Sequence, residues 1–303
     1  MSVWPRVLIT GVDGQVGRAL LKSFADSAEV IGCNRASLDL SNADQIREKV
    51  RTLAPDIIVN AGAYTAVDRA ESERDLAFAI NAHAPGVLAL EAQRAGALLI
   101  HYSTDYVFNG SKHGPWLEED ATDPLSVYGA SKLAGEEAIR SVGGRHLIFR
   151  TSWVYAPEGK NFALTMLRLG LERDSLNVVD DQVGAPTTAA ELARATHAIA
   201  IGILEKKFGE EPSSRGVYHM TCSGSVSWCG FARAIFKRSS ALLEGKAPKV
   251  NPIATSDYPT AAKRPRNSVL SNEKLRRTFN VQLASWQSAL DEVIAEIAKQ
   301  PKG

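Results

Sequence analysis

Cysteine is scarce in this sequence. Cys33, Cys222 and Cys229 are the three cysteines among 303 residues, and no two of them form a CxxC pair. A sparse, odd-numbered set argues against a disulfide framework, and the spacing is not that of a zinc site. We therefore expect buried thiols in a reducing cytoplasm and predict no metal centre from the cysteines.

An excess of charge and long apolar runs are also missing. The 35 basic and 34 acidic residues leave a net charge of +1, without the basic excess typical of proteins that bind nucleic acid or anionic membranes. No run approaches the roughly 20 apolar residues of a membrane span, and the first residues lack the pattern of a secretory signal. The sequence predicts a cytoplasmic protein without nucleic-acid or membrane partners, and it leaves open whether the chain is a monomer or a homodimer.

An alternation of strand-like and helix-like segments is present instead, and 45% of the residues are apolar. The pattern predicts a parallel, doubly wound α/β sheet. The predicted strands are 7–10, 29–33, 56–60, 97–103 and 146–151, and the helices between them are 16–24, 44–53, 75–94 and 126–139. After a boundary near residue 155, we predict helices at 162–171, 189–204, 227–236 and 285–297, short strands at 176–179 and 216–221, and a loop at 248–265.

A glycine-rich turn joins the first predicted strand to the first helix. Gly11, Gly14 and Gly17 have the spacing GxxGxxG. Such a turn lets the backbone approach a pyrophosphate and points the N–H groups of the helix at it. The turn makes residues 1–155 a Rossmann-type, NADP(H)-binding domain, with 156–303 as a smaller α/β substrate-binding region whose helices partly pack back on the sheet. The predicted cofactor contacts here are Gly11, Gly14, Gln15, Val16 and Gly17.

The end of the second strand indicates which cofactor binds. An acidic residue there would bind the ribose 2′-hydroxyl, but this sequence has Arg35, whose planar fork suits a 2′-phosphate. We therefore expect NADPH rather than NADH, with a solvated Arg35 as the competing interpretation. Asp39 is expected to accept a hydrogen bond from the adenine amino group beside Leu40, with a helix cap as the alternative.

The chemistry-bearing residues follow a YxxxK pattern. Tyr128 and Lys132 are four residues apart in a predicted helix and therefore share a face. A free tyrosine has a pKa near 10, which a neighbouring ammonium lowers. We expect Lys132 to act on Tyr128 in this way, so that the phenol becomes a usable acid or base, and to bond the nicotinamide ribose.

Polar residues end two of the predicted strands at the edge where ligands bind in open α/β sheets. Thr104 is expected to bond a substrate carbonyl and Tyr128, and Asp105 a sugar hydroxyl, with a polar turn as the alternative. Small residues at the end of the preceding strand would let the backbone lie along the cofactor. The cofactor contacts predicted at these strand ends are Ala61, Ala63, Tyr64, Thr65 and Tyr102.

Several longer motifs resemble the dTDP-4-dehydrorhamnose reductase family of extended short-chain dehydrogenases/reductases. The most specific are AYTAVDRAE at 63–71 and STDYVFNG at 103–110. YGASKLAGE at 128–136, RTSWVY at 150–155, QVGAPT at 182–187, GVYH at 216–219 and RPRNS at 264–268 follow in order. The resemblance covers almost the whole chain.

The resemblance implies reduction of dTDP-4-dehydro-β-L-rhamnose to dTDP-L-rhamnose by hydride from NADPH, a step that supplies lipopolysaccharide sugars. It implies a catalytic set of Thr104, Tyr128 and Lys132. It also implies that Val67, Thr104, Asp105 and Trp153 contact the sugar nucleotide and that Arg264 contacts its diphosphate. Plain core packing of Trp153 and a solvated Arg264 are the competing interpretations.

Some members of this family hold Mg²⁺ with acidic residues at the positions of Gln15, Glu191 and Glu292. The neutral Gln15 weakens such a site here, so we predict no metal ligands and leave Mg²⁺ binding open. Two other functions are considered. A nucleotide-sugar dehydratase or epimerase is disfavoured because Tyr106 stands where dehydratases carry a glutamate after Asp105. A non-enzymatic NADP-binding regulatory subunit of a methionine adenosyltransferase is disfavoured because all three catalytic residues are present.

Overall fold

The computed structural model describes residues 4–208, 215–246 and 248–300. Its strands are β1 (Arg6–Thr10), β2 (Glu29–Cys33), β3 (Ile57–Asn60), β4 (Leu98–Thr104), β5 (His146–Thr151), β6 (Val154–Tyr155), β7 (Ser175–Val179), β8 (Val183–Gly184), β9 (Thr187–Thr188), β10 (Arg215–His219), β11 (Val226–Ser227) and β12 (Lys249–Ile253). Its α-helices are α1 (Gln15–Phe24), α2 (Ala43–Leu53), α3 (Val67–Ala70), α4 (Arg74–Phe78), α5 (Ala84–Ala95), α6 (Val127–Val142), α7 (Phe162–Glu172), α8 (Ala189–Leu204), α9 (Trp228–Arg238), α10 (Glu273–Phe279) and α11 (Trp286–Lys299).

Six parallel strands form the central sheet in the order β2-β1-β3-β4-β5-β10. β2 is added on one side of β1 and β3 on its other side, with all three strands parallel. The order therefore reverses between β1 and β3, and a crevice forms at the carboxyl ends of these strands. The predicted doubly wound α/β sheet is confirmed.

Helices cover both faces of the sheet, and the alternation of side chains along β1 shows how. Val7 and Ile9 join the core beneath α1 and α8, whereas Leu8 joins the core beneath α2 and α5. A strand buried on both faces has an almost continuously apolar sequence, which explains the runs that predicted these strands.

The chain after residue 155 divides its residues between two cores. β10 completes the central sheet, and α8 packs on α1. α10 also joins the core of the central sheet through Leu275 and Phe279, whereas Tyr155, Phe231 and Trp286 are buried in a second core between α7, α9, α11 and the β7–β12 pair. All three cysteines are buried free thiols, as predicted.

Two local predictions were wrong, and one helix was missed. Segment 248–265 was predicted as a loop, but β12 within it pairs with β7 in a two-stranded sheet, whose free edge tolerates Pro252. The helix predicted at 75–94 is interrupted by a π-helical turn, Ala79–His83. α10 was not predicted, because its seven residues bury Leu275 and Phe279 alone and carry little periodicity. Within the described ranges, no helix is long and apolar enough to cross a membrane.

Candidate active site

A cavity of about 840 Å³ opens at the carboxyl ends of β1, β3 and β4. Most of the predicted site residues line it together. Gly17 and Arg264 are the exceptions among them. The predicted residues in its wall are Gly11, Gly14, Gln15, Val16, Arg35, Asp39, Leu40, Ala61, Ala63, Tyr64, Thr65, Val67, Tyr102, Thr104, Asp105, Tyr128, Lys132 and Trp153.

The glycine turn lies at the base of this cavity and depends on the absence of side chains. Gly11 has φ = +70°, and a Cβ there would lie 2.5 Å from the Cα of Gly62. A Cβ on Gly17 would lie 2.2 Å from the carbonyl oxygen of Gly11, so Gly17 acts by packing α1 against the turn rather than by facing the cavity. Gly14 caps α1 without a side-chain hydrogen bond. The first turn of α1 therefore presents backbone N–H groups that suit a pyrophosphate.

Arg35 and Asp39 lie on the loop after β2. Arg35 is exposed at the cavity rim, where its guanidinium is accessible to a ligand. Asp39 is not the cap of α2, because Asn42 takes that role. Its Oδ1 instead accepts hydrogen bonds from the backbone N–H and hydroxyl of Ser41, which hold the pKa of the carboxyl below its ordinary value.

Tyr128 projects from the first turn of α6 toward the end of β4. Its ring meets Tyr106 edge to face, with centroids 5.7 Å apart, and Thr104 is its neighbour at the end of β4. Gly129 allows this approach, because a Cβ there would lie 2.2 Å from the carbonyl oxygen of Tyr106. Thr104 also donates to Asp105 Oδ1 at 2.9 Å, so the three predicted polar groups form one cluster.

The electrostatics of the pair differ from the prediction. Burial raises the pKa of Tyr128 to about 12, and Lys132 is not among the groups that lower it. Burial also lowers the pKa of Lys132 to about 7, with Glu136 opposing that shift. Desolvation penalises both charged forms, and it places the pKa of the phenol above its ordinary value rather than below it. A phenol with this pKa is protonated at neutral pH, which is the state that a proton donor needs.

The amine of Lys132 has partners that the sequence did not indicate. Its Nζ donates to the carbonyl of Tyr102 at 2.6 Å and lies 3.1 Å from Nε2 of His101. The phenol of Tyr102 turns away from the cavity to Thr196 of α8, so Tyr102 reaches the site through its backbone. His101 is fully buried on β4 and was missed because a single histidine in an apolar strand carries no motif.

Asn81 is a second residue that the sequence did not indicate. Its side chain accepts from the backbone N–H of Tyr64 at 2.8 Å and donates to the Tyr64 carbonyl and to Ser131 of α6, each at 3.0 Å. Asn81 lies in the π-helical turn, where Pro85, four residues on, has no N–H to offer its carbonyl. The turn thereby ties the end of β3 to the YxxxK helix.

Two stacked tryptophans close the far end of the cavity. The rings of Trp153 and Trp228 lie 3.5 Å apart and nearly parallel, at 7°. Gly184 makes room for them, since a Cβ there would lie 2.6 Å from the Trp153 ring. Trp153 has φ = +48°, a conformation unusual for a bulky residue. Both rings reach the cavity wall, and Trp228 was not predicted as part of it.

Asp105 lies between the two ends, 2% exposed. Burial raises the pKa of its carboxyl to about 6, although hydrogen bonds from Ser268 and Thr104 oppose the shift. A buried carboxyl with this pKa is a strong acceptor for a ligand hydroxyl when it is ionised.

Arg264, the predicted diphosphate contact, is not in the cavity wall. Its guanidinium forms a two-pronged ion pair with Asp68, and it also donates to the carbonyl of Ala262. Other cations line the rim instead: Lys160, and Arg18, which pairs with Glu158 at 2.8 Å across the glycine turn. The diphosphate contact of Arg264 therefore stays a prediction.

Comparisons with known proteins agree with this architecture. The family described as RmlD substrate binding domain matches residues 5–299. The chain belongs to this family. It is 46% identical to a dTDP-4-dehydrorhamnose reductase of Burkholderia thailandensis, covering 97% of this chain and all of the relative. It is 45% identical to an Escherichia coli protein of the same name, covering 96% and 97% of the two chains.

A solved structure shows the same fold. It is described as dTDP-4-dehydrorhamnose reductase from Bacillus anthracis in complex with NADP, and it is 37% identical to this chain with a TM-score of 0.87. The alignment covers 97% of this chain and 100% of that one. The predicted family and the oxidoreductase class of the chain are thereby confirmed.

The residues named for Mg²⁺ do not form a cation site in this structure. Glu191 is buried, pairs with Arg194 and accepts the backbone N–H of Ala284, while Glu292 lies 3.7 Å from Arg194. Gln15 lies elsewhere, bonded to Asn161. Among the residues that the structure describes, no three His, Cys, Asp or Glu side chains cluster as metal ligands. Glu191 and Glu292 both have Arg194 as their partner, and the reaction proposed for this protein uses no metal.

Proposed function

We propose that this protein reduces the 4-keto group of dTDP-4-dehydro-β-L-rhamnose to give dTDP-L-rhamnose, with hydride from NADPH and a proton from Tyr128. The observation that carries the proposal is the cluster of Thr104, Tyr128 and Lys132 in one cavity with the glycine turn. The identity of the substrate is inferred from relatives that are named for this activity and are 45–46% identical over nearly the whole chain.

The cofactor would be held along the glycine turn. The uncapped N–H groups of α1 suit its pyrophosphate, and the backbone of 61–65 offers a wall without large side chains near β3. Arg35 would pair with a 2′-phosphate, which favours NADPH over NADH. When bound, the reduced nicotinamide supplies the hydride that the side chains cannot.

The protein's own residues would then handle the proton. Thr104 holds the substrate carbonyl against the phenol, and Tyr128 passes its Oη proton to the oxygen as hydride reaches the carbon. The phenolate that results would be stabilised by the ammonium form of Lys132, which is populated near neutral pH because burial lowers the pKa of the amine to about 7. The tyrosine regains a proton before the next cycle, so each turnover consumes one hydride and one proton.

The far end of the cavity would select the sugar nucleotide. Val67 and Asp105 line the same cavity as Tyr128, and Asp105 would accept a sugar hydroxyl. The Trp153–Trp228 pair offers a flat apolar face for a base or for sugar C–H groups. The diphosphate would reach Arg264 only if the Asp68 pair opened, because that pair occupies the guanidinium.

A coupled assay tests the proposal. dTDP-4-dehydro-β-L-rhamnose is generated in place and NADPH absorbance is followed, with UDP-4-keto sugars as the matched control. We expect NADPH consumption that depends on the dTDP substrate and forms dTDP-L-rhamnose. Binding of NADPH with no turnover of any keto sugar would instead favour a regulatory subunit, and loss of water from a hexose nucleotide would favour a dehydratase.

A further inference from the structure

A chain of buried polar groups runs through the sheet from Lys132 to the glycine turn. Lys132 Nζ lies 3.1 Å from His101 Nε2, and His101 Nδ1 lies 3.0 Å from Asn60 Nδ2. Asn60 Oδ1 accepts the hydroxyl of Thr10 at 2.6 Å, and Thr10 Oγ1 accepts the backbone N–H of Gly62 at 3.2 Å. The chain thus crosses β4, β3 and β1 at the point where the strand order reverses.

Each hydrogen bond in this chain fixes the direction of the next. Because Thr10 accepts from Gly62, its own proton goes to Asn60 Oδ1, and the Asn60 amide nitrogen must donate to His101 Nδ1. A neutral ring that accepts at Nδ1 carries its proton on Nε2. That N–H faces Lys132 Nζ, which can accept it only through the lone pair of an uncharged amine.

Burial favours the same arrangement. His101 and Lys132 are 0% and 2% exposed, so a second positive charge beside either would be costly. Desolvation and the lysine together hold the pKa of His101 well below its ordinary value, which keeps the ring neutral. The pKa of Lys132, lowered to about 7, lies where both forms of the amine are populated near neutral pH.

The other ionisable groups around Lys132 do not replace this contact. Glu136, one turn along α6, is bound by Arg150 and Ser103. β1 and β3 contribute uncharged Thr10 and Asn60. The ionisable groups on the elements packed around the amine are Tyr128, Glu136, Glu137 and Arg140 of α6, Tyr102 of β4 with Asp105 and Tyr106 after it, and His146 and Arg150 of β5.

We propose that His101 is a positioning residue for Lys132: its ring, oriented by Asn60, fixes Nζ against the Tyr102 carbonyl and favours the uncharged amine. The inference rests on the proposed function, since it assigns how one member of that site is prepared. His101 does not touch substrate or cofactor in this role.

Two substitutions separate the role from simple packing. His101→Leu fills the space but removes both ring nitrogens. His101→Gln keeps an N–H for Lys132 and an oxygen that accepts from Asn60. His146→Gln is the control, since His146 is a buried histidine of the same sheet, bonded to the Gly144 carbonyl outside the cavity. Thermal melts establish that each variant is folded.

The readouts are the pH profile of kcat and the titration of Lys132, followed by NMR of 13Cε-labelled lysine and assigned with Lys132→Met. With His101→Leu we expect kcat to fall on the order of 10–100-fold, with smaller changes in KM, because Nζ is misplaced. His101→Leu also removes the ring N–H that opposes protonation of Lys132. The pKa of Lys132 should therefore rise by about one unit, and the limb of the kcat–pH profile that reports on Lys132 should move to higher pH. His101→Gln and His146→Gln should keep the wild-type values.

A folded His101→Leu variant with an unchanged or lowered Lys132 pKa would overturn the proposal. So would a loss of kcat that leaves the pH profile unmoved and that His101→Gln does not restore, because that pattern indicates packing alone. Failure of the proposed function is distinguishable, since the lysine titration is measured without substrate. If the wild-type protein turned over no keto sugar, the proposed reaction would be contradicted. The shift in the Lys132 titration would still test the role of His101.

Discussion

The two ends of the cavity are built from different kinds of secondary structure. The end near the glycine turn is made by β1, β3 and β4, strands of a six-stranded sheet in which most side chains are fully buried. The far end is made by Trp153 and Trp228, which adjoin the two-residue strands β6 and β11. The groups proposed to react lie on β4 and on α6, which packs against it, and the groups proposed to select the ligand lie on short, locally supported segments. Changes at the first end should therefore affect kcat, and changes at the second should affect KM.

The largest effect is expected at the phenol. Tyr128→Phe removes the proton donor and should lower kcat about 10²–10⁴-fold with little change in stability, as judged by steady-state assays and thermal melts. Tyr155→Phe is the matched control, because Tyr155 is a buried tyrosine of the second core, outside the cavity. A Tyr128→Phe variant that turned over substrate at the wild-type rate would show that Tyr128 is not the proton donor.

Asp105, at the border of the two ends, should make stability depend on pH. Burial raises the pKa of its carboxyl from 3.8 to about 6, so the folded protein holds this proton more tightly than the unfolded chain. The contribution is present below pH 3.8 and is lost as the pH rises through 6. Relative to Asp105→Asn, wild-type protein should lose on the order of 2–3 kcal/mol of unfolding free energy across that window. Urea unfolding at several pH values measures the difference, and parallel curves for the two proteins would contradict the account.

Arg35 should set the cofactor preference. Charge-assisted hydrogen bonds to a phosphate contribute about 1.5–3 kcal/mol, so Arg35→Asp should shift the kcat/KM ratio of NADPH to NADH by about 10–100-fold toward NADH. Arg47→Asp makes the same charge change on α2, outside the cavity. An unmoved ratio in the Arg35 variant, or an equal shift in both, would show that Arg35 does not bind the 2′-phosphate.

The smallest effect is expected at the far end. Trp228→Leu removes the ring that supports Trp153, and an aromatic pair contributes about 0.5–1.5 kcal/mol. KM for the sugar nucleotide should rise about 2–10-fold while kcat stays near the wild-type value. Trp4→Leu, at an exposed position 52% accessible to solvent, is the control. If Trp228→Leu lowered kcat and left KM unchanged, the far end would contribute to the chemical step rather than to substrate binding.

The same contrast explains what could be predicted from the sequence. The sheet, the glycine turn and the YxxxK pair follow from apolar runs and from spacings that local backbone geometry requires, whereas Val67 and Trp153 were expected only from the resemblance to a family. β12, the two-residue strands and Trp228 could not be found this way, because their conformation depends on partners distant in the chain. His101 and Asn81 were missed for another reason. Each acts through hydrogen bonds to two residues distant in the chain, and no spacing rule encodes those contacts.

The fate of the hydride tests the central claim most directly. NADPH deuterated at C4 of the nicotinamide is incubated with the protein and dTDP-4-dehydro-β-L-rhamnose, and the product is read by NMR and mass spectrometry. The account predicts one deuterium at C4 of the sugar in dTDP-L-rhamnose, with wild-type protein and not with Tyr128→Phe at comparable times. Product without deuterium at C4, or label released to solvent, would contradict it.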